Sequence, residues 1–226
     1  MGDKTAIRKA IDLYYSPQSR SGSSRAQRQQ PPETGAQEAP EREHRIIAVI
    51  SNKGGVGKTH VSTNLATVAA RKGKKVLLID ADLGNADISN KLALFPEYTL
   101  YDFLLGDVAL EDMIQKTPYG FDLVGGSSGE FKLANINYVQ RTKFIRAFRK
   151  VSEGYDITIF DLSAGIGTTV MDFALASDEM LIVTTPQDII AGYACIKATF
   201  QRFKSIEESL MKKVEYYEPE RVYRPG

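Results

Sequence analysis

Ser51 to His60 reads SNKGGVGKTH, and the fold turns on how the end of this stretch is understood. Gly57-Lys58-Thr59 closes the phosphate-loop pattern G-x-x-x-x-G-K-[ST], whose first glycine would fall at position 52. That position holds Asn52, and a second lysine, Lys53, follows it. Asn accepts positive φ more readily than most non-glycine residues, so the exchange is expected to leave the turn usable. The loop comes directly after the β-rich run RIIAVIS and opens the helical stretch THVSTNLATVAARKG, the context that such a loop requires. Gly54, Gly55 and Gly57 would let successive N–H groups turn toward phosphate oxygens. Lys58 would meet the outer phosphates, Thr59 would offer a hydroxyl to Mg²⁺, and the N-terminus of the helix that begins near Lys58 would add its dipole. Lys53 has no task in this scheme. Its bland reading is a solvated loop lysine.

Around the loop, short apolar runs alternate with helical stretches. RIIAVIS, KKVLLID, FDLVGG, YDITIFD and EMLIVTT have consecutive apolar cores, as strands covered on both faces should. Between them THVSTNLATVAARKG, TLYDFLLGDVALEDMIQ, NYVQRTKFIRAFRKV and TVMDFALAS carry helical spacing. The alternation predicts an α/β domain with a mostly parallel sheet flanked by helices on both faces. Ligands of such sheets bind at the C-terminal ends of the strands. Asp80 and Asp161 end two of these runs, and Asp82 lies two residues beyond Asp80 on the same side of an extended chain. A lone Asp at a strand end is usually a cap. Beside a phosphate loop, the three read better as magnesium and water ligands.

Residues 45–226 form this domain, and residues 1–44 differ from it. TAIRKAIDLYY puts Ile7, Ala10, Ile11 and Tyr14 on one face of a short helix, either a docking peptide for a partner or a frayed tail. The Ser-, Gln- and Pro-rich stretch after it cannot bury enough apolar surface to offset ordering entropy and reads as a disordered linker. The net charge of +1 gives no electrostatic argument for nucleic acid. Cys195 alone excludes an internal disulfide, which suits a cytoplasmic location. No apolar run approaches the ~20 residues of a membrane span, so membrane contact would be peripheral. The start lacks a secretory core and a myristoylation pattern. His44 borders the linker and His60 follows Thr59, and two isolated histidines do not make a metal site. The loop Gly125 to Gly129 could approach the nucleotide or a partner, although such loops are more often simple strand-to-helix turns.

KGGVGKT, VLLIDADLG and ITIFDLSAGIG, in that order, resemble the deviant Walker A, second acidic and Walker B motifs of MinD/ParA-type ATPases. Within that group, LVGGSSGEFKLANINYVQRTKFIRAFRKV and the turn DLSAGIG are most similar to the FlhG branch (also called FleN or YlxH), which acts on flagellar number and placement. Ala164 stands where MinD itself usually has proline. The resemblance runs from about Arg45 to Phe203 and gives Lys53 its task. In these ATPases a lysine five residues before the P-loop lysine reaches across a nucleotide-sandwich dimer to the partner's phosphates. It further implies ATP and Mg²⁺ as ligands, an ATP-dependent homodimer, and slow, partner-stimulated hydrolysis. Nucleotide would lie on Lys53, Gly54, Gly55, Val56, Gly57, Lys58, Thr59 and His60. Lys53, Lys58 and Asp82 would serve catalysis, Asp82 by orienting the attacking water. Thr59, Asp80 and Asp161 would hold magnesium, and Gly165 would let the switch turn respond to the γ-phosphate.

Family members usually continue past AGYACIKATFQRF into a strand with an adenine-reading Asn and a C-terminal helix; this pattern is not found in KSIEESLMKKVEYYEPERVYRPG. Ile206, Leu210, Met211 and Val214 read as an extension of the preceding helix. Two other functions compete. Arg141, Lys143, Arg146, Arg149 and Lys150 could serve a ParA that binds nonspecific DNA, although Phe144, Ile145 and Phe148 suggest a packed helix with a solvated basic face. Tyr216, Tyr217 and Tyr223 could serve a tyrosine autokinase, against which KGGVGKT counts.

Overall fold

A computed structural model describes residues 11, 13–15, 44–82, 88–126 and 136–217, with side chains as far as Met211. Ile7, Ala10 and the linker lie outside the described residues, as does most of the loop ending at Gly129. The sheet is built from β1 (Arg45–Ser51), β2 (Val76–Ala81), β3 (Ile114–Lys116), β4 (Asp122–Val124), β5 (Ile157–Ala164) and β6 (Glu179–Ile182). Their spatial order is β3-β4-β2-β5-β1-β6. All neighbours are parallel except β3 on β4. Helices α1 (Lys58–Arg71), α2 (Ile88–Lys91), α3 (Leu100–Leu105), α4 (Tyr138–Ser152), α5 (Thr168–Leu175) and α6 (Ile189–Tyr217) make the connections.

Side chains alternate across a strand, so one run of apolar residues fills two cores. Ile46, Ala48 and Ile50 of β1 face α4, α5 and α6, together with Leu77, Ile79 and Phe160. Val49, Leu78 and Ile159 face α1 and α2, where Ala66, Ala69 and Ile88 pack. Phe144 and Phe148 of α4 meet Phe160 and Phe173, with ring centroids 4.3 to 6.0 Å apart. Complete burial of each such ring is worth about 1.5–3 kcal/mol. Asn137 caps α4 by accepting from the Gln140 N–H at 2.9 Å, and Gln140 returns the bond.

One expected helix is shorter than its pattern. TLYDFLLGDVALEDMIQ forms only α3, closed by Gly106 at φ 97, whose N–H caps the Asp102 and Phe103 carbonyls. Glycine takes this left-handed conformation without Cβ strain and so ends the helix. Leu110 and Met113 are then buried from a 3₁₀ turn, and the chain enters β3, an antiparallel edge strand absent from the expected set.

Residues 11 and 13–15 of the N-terminal segment lie against the domain. Ile11 and Tyr15 are each 2% exposed within the core cluster. The Tyr15 carbonyl accepts from Arg146 Nε at 2.6 Å, and Tyr138 donates its hydroxyl to the Tyr14 carbonyl at 3.0 Å. The Arg202 guanidinium lies over the Tyr14 ring. Beneath them Asp172, fully buried, is bracketed by Arg141 at 2.7 Å and Arg202 at 2.6 Å. α6 continues straight through Phe203, as the Ile206 to Val214 pattern implied. Ile206 is buried and Met211 exposed. Its first turns carry exposed Ile189, Tyr193, Ile196 and Phe200 beside β6, the last strand in the order.

Candidate functional site

The strand order places β1 between β5 and β6, and the C-terminal ends of β1, β2 and β5 therefore open on one edge. Ser51–Gly57 leaves that edge and returns into α1, whose first residue is Lys58. The bend is made by glycine: Gly55 has φ 76 and Gly57 has φ 98. Asn52 does not take positive φ, contrary to expectation; among the described residues the only non-glycine that does is Ala93. The missing first glycine therefore leaves no strained position behind. A Cβ built on Gly54, Gly55 or Gly57 would meet no protein atom within 4 Å, so open space lies over the loop. Together with the start of α1, that space and its N–H groups fit a phosphate chain.

Lys58 is buried at the start of α1, whereas the His60 side chain, two residues on in the same helix, is exposed. Val56 is half-buried between the bending glycines. Gly165, at φ 109, donates its N–H to the Ser51 carbonyl at 2.8 Å, tying the turn after β5 to the start of the phosphate loop. Tethers of this kind can carry a change at the phosphates into the following helix α5.

Asp80 and Asp161 stand opposite each other in the β2–β5 register, 1% and 2% exposed. Burial pushes the Asp80 carboxyl up to about 7, and the neighbouring Asp161 charge adds to this, against N–H donors from Ile88 and Asp82. Burial also raises Asp161. Hydroxyl bonds from Thr59 and Ser62 and the Lys58 charge oppose that rise. Thr59 Oγ1 donates to Asp161 Oδ2 at 2.8 Å. Two buried carboxylates beside a hydroxyl, both disfavoured as free anions, fit a hard divalent cation. Mg²⁺ commonly completes its shell with waters and substrate phosphates, so no all-protein cage is needed, and no cluster of that kind occurs among the described residues. Asp82 follows β2, half-buried, with its N–H on Asp80 Oδ1 at 3.3 Å.

Lys53 is not gathered into this cradle. Its ammonium pairs with Asp188, in the turn between β6 and α6, and its side chain is 58% exposed. Asp188 also accepts from Thr185 Oγ1 at 3.0 Å, and together these bonds hold its carboxyl below the usual range. The Lys53 carbonyl accepts from Ser51 Oγ at 2.6 Å. Sequence reasoning missed Asp188, which no local pattern links to the loop. It also missed Ser62, whose place one helical turn after Thr59 was a usable signal.

The basic residues of α4 are engaged within the chain. Arg141 pairs with Asp172, Lys143 donates to the Phe103 carbonyl, Arg146 to the Tyr15 carbonyl, and Lys150 pairs with Glu111. Phe144, Ile145 and Phe148 are buried, which favours the packed-helix reading of this segment over a DNA-binding face. The Tyr216 and Tyr217 side chains and Tyr223 fall outside the described residues. No helix among the described residues is long and apolar enough to cross a membrane.

Comparison with known proteins agrees with this geometry. Residues 44–216 match the family described as an AAA domain. The chain is 40% identical over 154 residues to the antiactivator FleN of Pseudomonas aeruginosa, covering 67% of this chain and 55% of that protein. It is 34% identical over 194 residues to the septum site-determining protein MinD of Buchnera aphidicola, covering 79% and 69%. The solved structure of MinD from Pyrococcus horikoshii OT3, complexed with Mg-ADP, superposes with a TM-score of 0.59 at 29% identity, covering 74% of this chain and 66% of that one. The chain spans about half the length of curated relatives such as FleN.

Proposed function

The chain belongs to the MinD/ParA family of P-loop ATPases, close to its FlhG/FleN branch, and on that premise we propose that it is an ATP-dependent dimerisation switch with slow, partner-stimulated hydrolysis. The observation that carries this reading is the position of Lys53. Its ammonium lies in an exposed pair with Asp188 and not over its own phosphate loop, so opening that one surface pair would release it toward a second subunit. Each active site would then be completed by the other chain, and dimerisation would require ATP.

In this reading the loop N–H groups and Lys58 bind and orient the phosphates, while Lys53 of the opposite subunit adds positive charge where negative charge develops. Thr59, Asp80 and Asp161 would hold Mg²⁺, which when bound neutralises phosphate charge. Asp82 would orient the attacking water. The Gly165 turn would report the γ-phosphate to α5. ATP rather than GTP as the nucleotide, a cytoplasmic location with transient peripheral membrane contact, and protein partners in flagellar number or placement complete the proposal. The engaged cations of α4 give no support to nonspecific DNA as the preferred partner.

The test is the mass of the protein in solution with ADP and with ATP, for wild type, Lys53→Ala and Asp82→Ala. Asp82→Ala should accumulate as an ATP-dependent dimer, and Lys53→Ala should stay monomeric. A mass that ATP never changes would sink the switch reading.

A further inference from the structure

The hydroxyl of Ser62 has two acceptors within reach, and its shorter contact is with the unusual one. Ser and Thr inside a helix commonly bond the carbonyl four residues back. Thr63 and Thr67 do so at 2.7 and 2.8 Å. Ser62 lies 3.1 Å from the Lys58 carbonyl but 2.8 Å from Asp161 Oδ1, and it is fully buried. Asp161 thus receives one hydroxyl on each oxygen, Thr59 on Oδ2 and Ser62 on Oδ1, from positions one turn apart on a single helix. Two donors fixed on one rigid element set both the position and the rotation of the carboxylate plane. A single donor would leave that rotation free. Thr59 gives its one proton to Asp161 and so keeps oxygen lone pairs for a cation.

We propose that Ser62 is a positioning residue for the magnesium site, holding Asp161 at its far oxygen so that the near oxygen stays aligned with Thr59. The proposal rests on reading Thr59, Asp80 and Asp161 as the magnesium set. It assigns Ser62 no contact with nucleotide or metal. Removing a partner of this kind from behind a metal ligand commonly weakens metal affinity 10–100-fold.

The experiment measures binding of a fluorescent ATP analogue to the full chain, titrated with MgCl₂ and repeated in EDTA. The proteins are wild type, Ser62→Ala, Ser62→Cys, Thr59→Ala, Asp161→Asn and the double variant Ser62→Ala/Asp161→Asn, each checked for cooperative thermal unfolding. Ser62→Ala should need about tenfold more Mg²⁺ for half-maximal binding, while its affinity in EDTA stays within twofold of wild type. Ser62→Cys keeps the bulk but donates weakly, so it should fall between; it carries the test if the alanine variant does not fold. In the Asp161→Asn background, Ser62→Ala should change the Mg²⁺ requirement less than twofold, because the carboxylate it positions is gone.

The proposal is overturned if Ser62→Ala and Ser62→Cys bind with wild-type Mg²⁺ dependence while Thr59→Ala and Asp161→Asn each need about tenfold more Mg²⁺ or beyond. It is also overturned if Ser62→Ala has its full effect in the Asp161→Asn background, since Ser62 would then act elsewhere. Silence of Thr59→Ala and Asp161→Asn themselves would remove the magnesium set, and the role of Ser62 with it.

Discussion

Lys53 and Asp188, 135 positions apart, form an ion pair between the phosphate loop and the turn that opens α6. If Lys53 has to reach a second subunit, this pair must open first. Asp188→Asn removes the competing charge, and the ATP concentration giving half-maximal dimer should fall. The pair is solvent-exposed, so the unfolding midpoint should hardly move. Light scattering across an ATP titration checks the first outcome and urea unfolding the second. An ATP midpoint that rises would mean that Asp188 presents Lys53 instead of restraining it.

Asp80 should make the metal-free protein sensitive to pH. Its carboxyl is raised to about 7 in the folded chain, against about 4 when unfolded. Between those values the native state holds a proton that the unfolded chain has lost, and stability therefore falls as pH rises through that window. In EDTA, wild type should lose stability between pH 5 and pH 8, and Asp80→Asn should lose less. Equal slopes in urea titrations of the two proteins would show that Asp80 does not carry the effect.

Asp172 joins three helices, with Arg141 from α4 and Arg202 from α6 closing on it from both sides. Asp172→Ala would leave two guanidinium groups largely buried without their counter-charge. Breaking a buried pair from one side typically costs about 3–5 kcal/mol. Chemical denaturation of the variant should show a loss of that size with nucleotide affinity little changed.

Tyr15 should behave differently, although it is as deeply buried as the core. If its segment detaches without unfolding the sheet, the loss on Tyr15→Ala is limited to the free energy of docking. The expected result is fast hydrogen exchange at residues 11 and 13–15, with global unfolding affected much less than by Asp172→Ala. Protection of those residues unchanged from wild type would show that Tyr15 is not what anchors them.

The parallel sheet was legible in the sequence because strands buried on both faces must be apolar at consecutive positions, and RIIAVIS, VLLID and ITIF are. The phosphate loop and the carboxylates at the strand ends were legible for a related reason. A strand, a glycine turn and a helix start are local, and the neighbours in the chain define their geometry. The long helix expected after Thr99 failed because apolar spacing does not report where the chain stops. Gly106 ends it through φ alone, and Leu110 and Met113 find burial in a tighter turn instead.

What sequence by itself determined is which groups are candidates for phosphate and cation, from Gly54 to Thr59 with Asp80, Asp82 and Asp161. Tertiary structure decided what holds those groups. Asp188 on Lys53, Ser62 on Asp161, Gly165 on Ser51 and the two arginines on Asp172 come mostly from distant parts of the chain. Such pairings follow from strand order and helix placement. Composition and periodicity do not encode which side chains meet once the sheet closes, because that depends on the register of elements far apart in sequence.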